Sequence, residues 1–212
     1  MLNSSGFDLW ADGYDKSVRL SEERNQYPFA GYKKVLGSIY RIMKSGKGTR
    51  LLDVGFGTGV LSKRLYDEGY SITGIDFSAE MIQLAQQKMP DAELLQYDFT
   101  QGLPPCLSGR VFDYIVCTYA IHHLDDSRKI LLIHELLEHL PAGGKLLLGD
   151  VAFETAGKLE QCRAQSGSAW DAEEWYLVDE TLKLAFPSIE FIACSFCSGV
   201  FIFSKQGSPA TR

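Results

Sequence analysis

The sequence predicts an α/β protein built on a doubly wound, mostly parallel sheet. Between residues 50 and 151, apolar runs typical of buried strands alternate with helical patterns, which indicates a parallel sheet with helices on both faces. Near the C-terminal end, two more apolar runs are separated by only Cys197-Ser198-Gly199. Because so short a turn cannot hold a parallel crossover, these strands must form an antiparallel hairpin. We therefore expect a seven-stranded sheet with an antiparallel C-terminal strand and an N-terminal helical cap.

The elements are predicted in a regular order. An amphipathic helix over 28–43 ends at Gly46 and Gly48. The predicted ranges that follow are strand 50–54, helix 59–68, strand 71–76, helix 79–88, strand 92–97, strand 111–118, helix 127–140 and strand 145–151. Ser78 is expected to cap one helix, and Asp126 or Ser127 the longer one. Residues 153–170 are expected to be less regular, with helical pieces around 171–186 and hairpin strands at 189–196 and 200–204.

Length and composition favour a single domain. A chain of 212 residues with 45% apolar and 23% charged residues is typical of one globular unit with a substantial core. We expect residues 1–205 to form it, divided into a helical cap (1–47), a ligand-binding core (48–152) and a substrate-side insertion with the hairpin (153–205). Residues 206–212 are expected to be a disordered tail.

Charge and hydropathy exclude several classes of partner. The net charge of −6 disfavours nucleic acid as the main partner. One cation-rich segment is interpreted as a solvated helix face rather than a phosphate-binding patch: Lys33, Lys34, Arg41, Lys44, Lys47 and Arg50. No apolar run reaches the ~20 residues of a membrane span, and no signal pattern precedes the first helix. We expect a cytoplasmic monomer or homodimer without membrane association.

The cysteines give no sign of a disulfide framework or a zinc site. Five cysteines, an odd and scattered number, fit reduced thiols. Cys194 and Cys197 form a C-x-x-C, but an odd offset along a hairpin strand points the two side chains to opposite faces.

The most informative stretch is a buried strand, Arg50 to Val54, that breaks into three alternating glycines before a helix. Glycines at a strand-to-helix turn allow backbone angles that side chains forbid, and the helix N-terminus offers N–H groups to a ligand. The spacing is G-x-G-x-G, whereas a dinucleotide fingerprint would need Gly or Ala where this chain has Val60. A glycine loop can also be a tight turn without a ligand.

A carboxylate follows at the end of the second strand. Asp76 lies 76 − 55 = 21 residues after Gly55, where a cofactor ribose is expected, and its two oxygens could accept from two hydroxyls. An acid at this place suits a nicotinamide cofactor as well. The third strand then ends in Asp98 and Phe99, although an Asp at a strand end is also a common turn cap.

Together these motifs resemble the class I S-adenosylmethionine (SAM) methyltransferases, in particular the YrrT-type small bacterial members of the Methyltransf_11/25-like group. Upstream, Trp10-Ala11 and Tyr14-Asp15 resemble the opening of that group. The resemblance implies a Rossmann-like fold with SAM as cofactor and S-adenosylhomocysteine (SAH) as product. It also implies that Asp98 accepts the adenine amino group, that Phe99 packs on the ring and that Tyr14 lies near the methionine end. The cofactor-binding residues so implied are Tyr14, Asp53, Gly55, Gly57, Gly59, Asp76, Phe77, Met81, Asp98, Phe99 and Tyr119.

The resemblance further implies direct, in-line transfer of the sulfonium methyl to an O, N or S acceptor on a small molecule. Holding the acceptor at near-attack distance supplies much of the rate. His123 and His122, after the fourth strand, are candidate bases, or they simply hydrogen-bond within their loop. Related quinone O-methyltransferases hold a cation with acidic residues where this chain has Tyr119 and His122, so no metal is expected. His134 and His139 are interpreted as structural.

The acceptor itself is not specified by the sequence. Six aromatic residues could line its pocket or belong to the core: Tyr14, Tyr27, Tyr119, Trp170, Trp175 and Tyr176. Two other functions stay open at this point. One is a nicotinamide-dependent oxidoreductase, against which Val60 and the terminal hairpin argue. The other is a SAM-binding sensor or partner subunit without transferase activity.

Overall fold

The computed structural model describes residues 23–205. The predicted contact of Tyr14 with the cofactor, residues 1–22 of the predicted N-terminal cap and the predicted tail at 206–212 lie outside the described residues. Within this range the helices are α1 (Tyr32–Ser45), α2 (Val60–Asp67), α3 (Ala79–Lys88), α4 (Asp126–Glu138), α5 (Ala156–Ser166) and α6 (Asp179–Ala185). The strands are β1 (Arg50–Val54), β2 (Ser71–Asp76), β3 (Glu93–Gln96), β4 (Tyr114–Thr118), β5 (Lys145–Phe153), β6 (Leu177–Val178), β7 (Glu190–Ala193) and β8 (Ser198–Ser204).

The strands form one mixed sheet in the order β3-β2-β1-β4-β5-β8-β7. β1 to β5 pair in parallel, whereas β8 runs antiparallel to both β5 and β7. The predicted doubly wound sheet with an antiparallel C-terminal strand is thus confirmed. One strand beyond the predicted seven is present: β6, only two residues long, pairs in parallel with the end of β5. The chain reverses its winding direction between β1 and β4, so a crevice opens at their carboxyl ends.

Two apolar cores cover the faces of the sheet. Helices α1, α2 and α3 close one face with residues such as Ile39, Leu65 and Ala85, and α4 closes the other with residues such as Ile133. Neighbouring residues of β1 alternate between the cores, as the pleat of a strand requires: Leu51 faces the first core and Leu52 the second. Both are fully buried, which explains the continuous apolar runs that predicted a parallel sheet.

The helix ends agree with the predicted caps at one place and differ at another. The Ser78 hydroxyl accepts a hydrogen bond from Met81 N at 3.2 Å, so this cap is confirmed. The longer helix is capped by Asp125, which accepts from Arg128 N at 2.9 Å; the predicted caps Asp126 and Ser127 lie inside the helix and were wrong. All three residues have the right chemistry for a cap, and the local sequence could not separate them.

The region after β5 contains a helix that the sequence did not predict. Residues 153–170 were expected to be less regular, yet Ala156–Ser166 form α5, capped by the Thr155 hydroxyl. Of its residues only Cys162 is buried. A helix without an apolar stripe carries no 3.6-residue signal, so its pattern could not be recognised.

The hairpin turn lies earlier than predicted. Cys194 N and Ser195 N both donate to Ser198 O, so the turn spans Cys194 to Cys197 and β8 begins at Ser198. The predicted turn at Cys197-Ser198-Gly199 was therefore displaced. Gly199 belongs to β8, where a Cβ would meet the Phe191 ring at 2.4 Å. Across residues 23–205 every helix is too short or too polar to traverse a bilayer.

Candidate active site

The glycine loop bends sharply between β1 and α2. Gly55, Gly57 and Gly59 have φ of 70°, 55° and 73°, all in the left-handed region that L side chains rarely adopt. At Gly55 a Cβ would also stand 2.6 Å from the Cβ of Ala120, whereas no atom of residues 23–205 lies within 4 Å of the position a Cβ would take at Gly57. The loop therefore keeps one open face, at Gly57.

Asp76 holds this loop from the end of β2. One carboxylate oxygen accepts from Gly57 N at 2.8 Å, and the other accepts from Ser78 N at 2.9 Å. These bonds fix the loop against the carboxyl edge of the sheet. Each carboxylate oxygen has two lone pairs, so a carboxylate at this place can accept several hydrogen bonds at once.

A cleft opens between the ends of β1, β2 and β4, and we call it the cofactor cleft. Eight of the predicted cofactor-binding residues line it: Asp53, Gly55, Gly57, Asp76, Phe77, Met81, Phe99 and Tyr119. His123 lies on the same wall, together with Tyr32, Leu36 and Thr118. The predicted residues therefore lie where the sheet reverses its winding direction, which we call its switch point.

Two other predicted residues stand outside the wall of the cleft. Gly59 is the N-cap of α2, and a Cβ there would press on Met89 Cε at 3.0 Å, so its role in the fold is close helix packing. Asp98 caps the short 3₁₀ turn Phe99–Gln101 by accepting from Thr100 N at 3.0 Å. Phe99 continues from this turn into the cleft.

Asp53 is a buried carboxylate with one unsatisfied oxygen. Its Oδ2 accepts from the Ser62 hydroxyl at 2.5 Å, while Oδ1 has no hydrogen-bond partner among the described residues. Burial raises the pKa of Asp53 to about 7; the bond from Ser62 opposes this rise and the nearby charge of Asp76 adds to it. A cationic ligand in the cleft would satisfy this oxygen and favour its charged form.

Tyr119 is held in an unusual backbone conformation directly after β4. Its φ is 51°, which is rare for a bulky residue and clusters at functional sites. The ring packs against Tyr32 and Phe29 with centroid distances of 5.1 and 5.4 Å. Its buried hydroxyl lies near Ser198 without a well-formed hydrogen bond to any described residue. The tight bend turns the following segment toward the cleft.

The two candidate bases have different surroundings. His122 is buried, and its Nδ1 lies 2.8 Å from Oδ1 of Asp150, which is fully buried. Burial alone would lower the pKa of His122, but attraction and hydrogen bonding to Asp150 outweigh it, so the pKa is raised. For His123, burial and the neighbouring His122 lower the pKa to about 4. At neutral pH, His123 is therefore an uncharged imidazole on the wall of the cleft.

A segment before β6 completes the surroundings of His122. Oε1 of Glu174 lies 3.4 Å from His122 Nε2, and Oε2 of Glu174 accepts from the Tyr176 hydroxyl at 2.7 Å. The backbone of Trp175 is fixed on both sides, because its N–H donates to His122 O and its carbonyl accepts from the buried ammonium of Lys129. Pairing of β6 with the end of β5 brings this segment to the site. Neither Glu174 nor Asp150 was predicted from the sequence.

The predicted pocket aromatics separate into three groups. Tyr27, Trp170 and Tyr176 pack together: Tyr27 stacks on Trp170 at 5.1 Å, Trp170 meets Tyr176 edge-on at 4.9 Å, and the hydroxyls of Tyr27 and Tyr176 hydrogen-bond. Tyr119 belongs to the cofactor cleft, and the Trp175 side chain is 52% exposed.

The remaining histidines, His134 and His139, lie away from the cleft. His134 packs against the Phe186 ring, and His139 hydrogen-bonds to the Arg110 carbonyl.

One group of side chains has the composition of a metal site. His122, His123 and Glu174 each offer one ligand atom, and these three atoms lie within 4.8 Å of one another. It is the only such group of three or more in the part of the chain that the structure describes. The expectation that no metal binds here was based on the residues after β4 and did not take Glu174 into account.

Sequence comparison places the chain among known methyltransferases. A family model described as a methyltransferase domain matches residues 51–144. An uncharacterized methyltransferase of Geobacillus thermodenitrificans (strain NG80-2) is 32% identical over 201 residues, which cover 93% of this chain and 88% of the relative. The uncharacterized methyltransferase YrrT of Bacillus subtilis (strain 168) is 35% identical over 156 residues, covering 73% and 70%.

Solved structures share the fold at low sequence identity. Magnesium protoporphyrin IX methyltransferase (ChlM) from Synechocystis PCC 6803, with bound SAH, has a TM-score of 0.69 at 16% identity, covering 96% of this chain and 100% of that one. The DhpI-SAM-HEP complex has a TM-score of 0.68 at 18% identity, covering 93% and 94%.

The fold and the cleft therefore define a class I methyltransferase. The chain belongs to the methyltransferase family of these Geobacillus and Bacillus relatives, and the predicted membership is confirmed.

Proposed function

We propose that this protein is a SAM-dependent methyltransferase that acts on a small molecule and transfers the methyl group directly to an O, N or S acceptor without a metal ion. The observation that carries this proposal is the cofactor cleft, where the open face of Gly57, the carboxylate of Asp76 and the unsatisfied Oδ1 of Asp53 meet at the switch point of the sheet.

The residues of the cleft fit the three chemical parts of SAM. Asp76 offers carboxylate oxygens for the ribose hydroxyls, and Phe99 offers an apolar face for the adenine. Asp53 offers a buried anionic oxygen for the ammonium of the methionine part. Gly57 lets a ligand approach the main chain, because no side chain of the described residues occupies that space. Asp98 stays a proposed adenine contact, made from its place at the end of β3.

We propose that His123, rather than His122, is the base. When bound, SAM supplies a methyl group already activated by its sulfonium. His123 lies on the cleft wall and is uncharged at neutral pH. A pKa of about 4 makes it a weak base, so it is suited to take the proton of an acceptor O–H, N–H or S–H that becomes acidic as the methyl group is transferred. His122 is a positioning residue, because Asp150 and Glu174 flank its two ring nitrogens.

The remaining sequence predictions belong to this proposal. They are a single domain over 1–205, a cytoplasmic location, a small-molecule acceptor and a monomer or homodimer that does not bind nucleic acid. A SAM-binding sensor without activity would share the cleft, and only a transfer assay separates the two functions.

The test begins with Asp76→Ala, measured by calorimetric titration with SAH. We expect an affinity loss of ~1.5 to 3 kcal/mol, because a buried charged acceptor is removed. The control is Asp113→Ala, which removes a carboxylate that binds Arg50 at the opposite end of the sheet and should leave SAH affinity unchanged. Urea unfolding of both variants checks that they are folded. Unchanged SAH affinity in Asp76→Ala would contradict the assignment of the cleft.

Activity is tested with SAM labelled in its methyl group, incubated with a cell extract and then with fractionated metabolites. We expect label in a small-molecule fraction, with full activity after exhaustive chelation. Restoration of a lost activity by magnesium would overturn the metal-independent mechanism. Tight SAH binding without transfer to any fraction would favour the sensor.

A further inference from the structure

His122, His123 and Glu174 come from two parts of the chain that the fold brings together. The histidines follow β4, and the glutamate precedes β6. Their ligand atoms lie within 4.8 Å of one another. The ring centroids of the two histidines are 4.3 Å apart. Two imidazoles and one carboxylate thus converge beside the cofactor cleft.

The closest pair in this group has the spacing of two ligands on one ion. His122 Nε2 and Glu174 Oε1 are 3.4 Å apart. This exceeds the usual 2.7–2.9 Å of a charge-assisted hydrogen bond. Two ligands at about 2.0–2.2 Å from a tetrahedral ion stand about 3.3–3.6 Å apart, which includes the observed distance. The third ligand atom, on His123, lies within 4.8 Å of both.

Neighbouring groups orient both ligands in the way metal sites require. His122 uses Nδ1 toward Asp150 Oδ1 at 2.8 Å, which directs Nε2 toward Glu174. Glu174 uses Oε2 to accept from the Tyr176 hydroxyl at 2.7 Å, which leaves Oε1 toward His122. Carboxylate–histidine pairs and hydrogen-bonded carboxylates of this kind fix ligand orientation around metal ions.

The ligand set also selects the class of ion. Imidazole nitrogens suit Zn²⁺, Co²⁺, Ni²⁺ and Cu²⁺, whereas Mg²⁺ and Ca²⁺ prefer oxygen ligands. Three protein ligands would leave one position of a tetrahedral ion for a further ligand.

We propose that His122, His123 and Glu174 form a binding site for a divalent transition-metal ion such as Zn²⁺, and that occupancy of this site inhibits methyl transfer. This inhibition rests on the proposed function, because the ion takes the imidazole nitrogen of His123 that would otherwise accept the acceptor's proton. The site itself does not depend on that function. The enzyme would thus need no metal ion for methyl transfer, but a metal ion bound at this site would inhibit the transfer.

The site is tested by titrating the chelator-treated full chain with Co²⁺ and recording its visible d–d absorption. We expect a saturable one-to-one band, weakened at least tenfold in affinity in Glu174→Gln and in His123→Gln. The matched control is His134→Gln, a histidine on α4 outside the site, which should titrate like the wild type. No saturable band, equal affinity in Glu174→Gln, or thiolate-to-cobalt absorption would overturn the assignment. Because Glu174 is partly exposed and the change preserves its shape, Glu174→Gln should fold.

The inhibition has a separate readout. With labelled SAM, we expect Zn²⁺ to inhibit the wild type and to inhibit Glu174→Gln only at concentrations at least tenfold higher, while SAH affinity stays unchanged by Zn²⁺. Equal sensitivity of both proteins would refute inhibition through this site. Failure of the proposed function would appear differently, as absent SAH binding or absent transfer in metal-free enzyme, and the Co²⁺ titration would still decide the site.

Discussion

The cofactor side and the acceptor side of the site are built in different ways. The cofactor side consists of the glycine loop and the end of β2, and its central bond joins Gly57 to Asp76, 19 residues apart. The second side, which we call the acceptor side because we propose that the acceptor binds there, consists of His122, Asp150, Glu174 and the aromatic residues around them. Its bonds join residues 28 apart, from His122 to Asp150, and 149 apart, from Tyr27 to Tyr176.

The geometry of the cofactor side is fixed by the backbone, whereas the geometry of the acceptor side is fixed by contacts between side chains. On the cofactor side, positive φ angles and close packing fix a main-chain shape, so glycine is required whatever the ligand. On the acceptor side, buried charges fix the orientation of one histidine. We expect mutations on the first side to act on stability and cofactor affinity together, and mutations on the second to leave cofactor affinity intact.

The largest effect is expected for Gly55→Ala. Its φ of 70° costs an alanine about 1–2 kcal/mol, and the clash of the new Cβ with Ala120 adds about 1–3 kcal/mol. The free energy of unfolding in urea should therefore fall by about 2–5 kcal/mol, and SAH affinity should fall as well. The matched control is Gly109→Ala, at φ +74° and with no atom of the described part of the chain within 4 Å of the new Cβ, which should lose only the conformational part. Equal losses at the two positions would show that packing at Ala120 does not matter.

An intermediate effect is expected for Asp150→Asn, with a defined pH dependence. The folded state raises the pKa of His122, so the pair contributes stability at pH below about 6.5, and this is lost as pH rises through the folded pKa. The groups facing His122 are Asp150, Glu174, His123 and Lys129. Removing the Asp150 charge should cost about 1–3 kcal/mol at pH 5.5 and less at pH 8.5.

Urea unfolding at the two pH values measures this difference. Asp179→Asn is the control, because that buried carboxylate pairs with Lys183 rather than with a histidine, so its cost should be similar at both. SAH affinity should remain within about twofold of the wild type in Asp150→Asn. A cost that grows with pH would show that His122 is not the partner that titrates.

The smallest effect is expected for cofactor affinity as a function of pH. With a pKa of about 7, Asp53 is mostly protonated at pH 6 and mostly ionised at pH 8. If the cationic methionine end binds the ionised form, SAH affinity should fall by up to about tenfold between pH 8 and pH 6, and Asp53→Asn should abolish this dependence. Without ligand, the free energy of unfolding changes with pH in the opposite direction to SAH affinity. Because the folded state raises the pKa of Asp53, stability is lost as pH rises from about 4 through about 7. A flat affinity profile in the wild type would place the cofactor's ammonium elsewhere.

The sequence predicted the cofactor side because its determinants are local. Three alternating glycines, the following helix and the acid at the end of β2 fall within about one βαβ unit, so spacing along the chain reports their distance in space. The same holds for the alternation that predicted the parallel sheet. The helix cap at Asp125 and the hairpin turn lie at other positions than predicted, because several adjacent residues suit the same local role.

The acceptor side could not be predicted for the opposite reason. Asp150 reads as one polar residue inside an apolar run, and Glu174 lies in a segment that shows no periodicity. Their closeness to His122 depends on β6, a two-residue strand too short to give an alternating pattern. A polar residue within the buried run of β5 is the one signal that could have drawn attention to Asp150.

The placement of β8 has a consequence for how the protein is made. It is the last of the eight described strands to leave the ribosome, yet it lies between β5 and β7 and pairs along the whole length from Lys145 to Val151. Until residues 198–204 have been synthesised, the outer edge of β5 exposes unpaired backbone groups beside apolar side chains. Such an edge invites aggregation. We therefore expect the nascent polypeptide to be most prone to aggregation in the interval between synthesis of β5 and synthesis of β8.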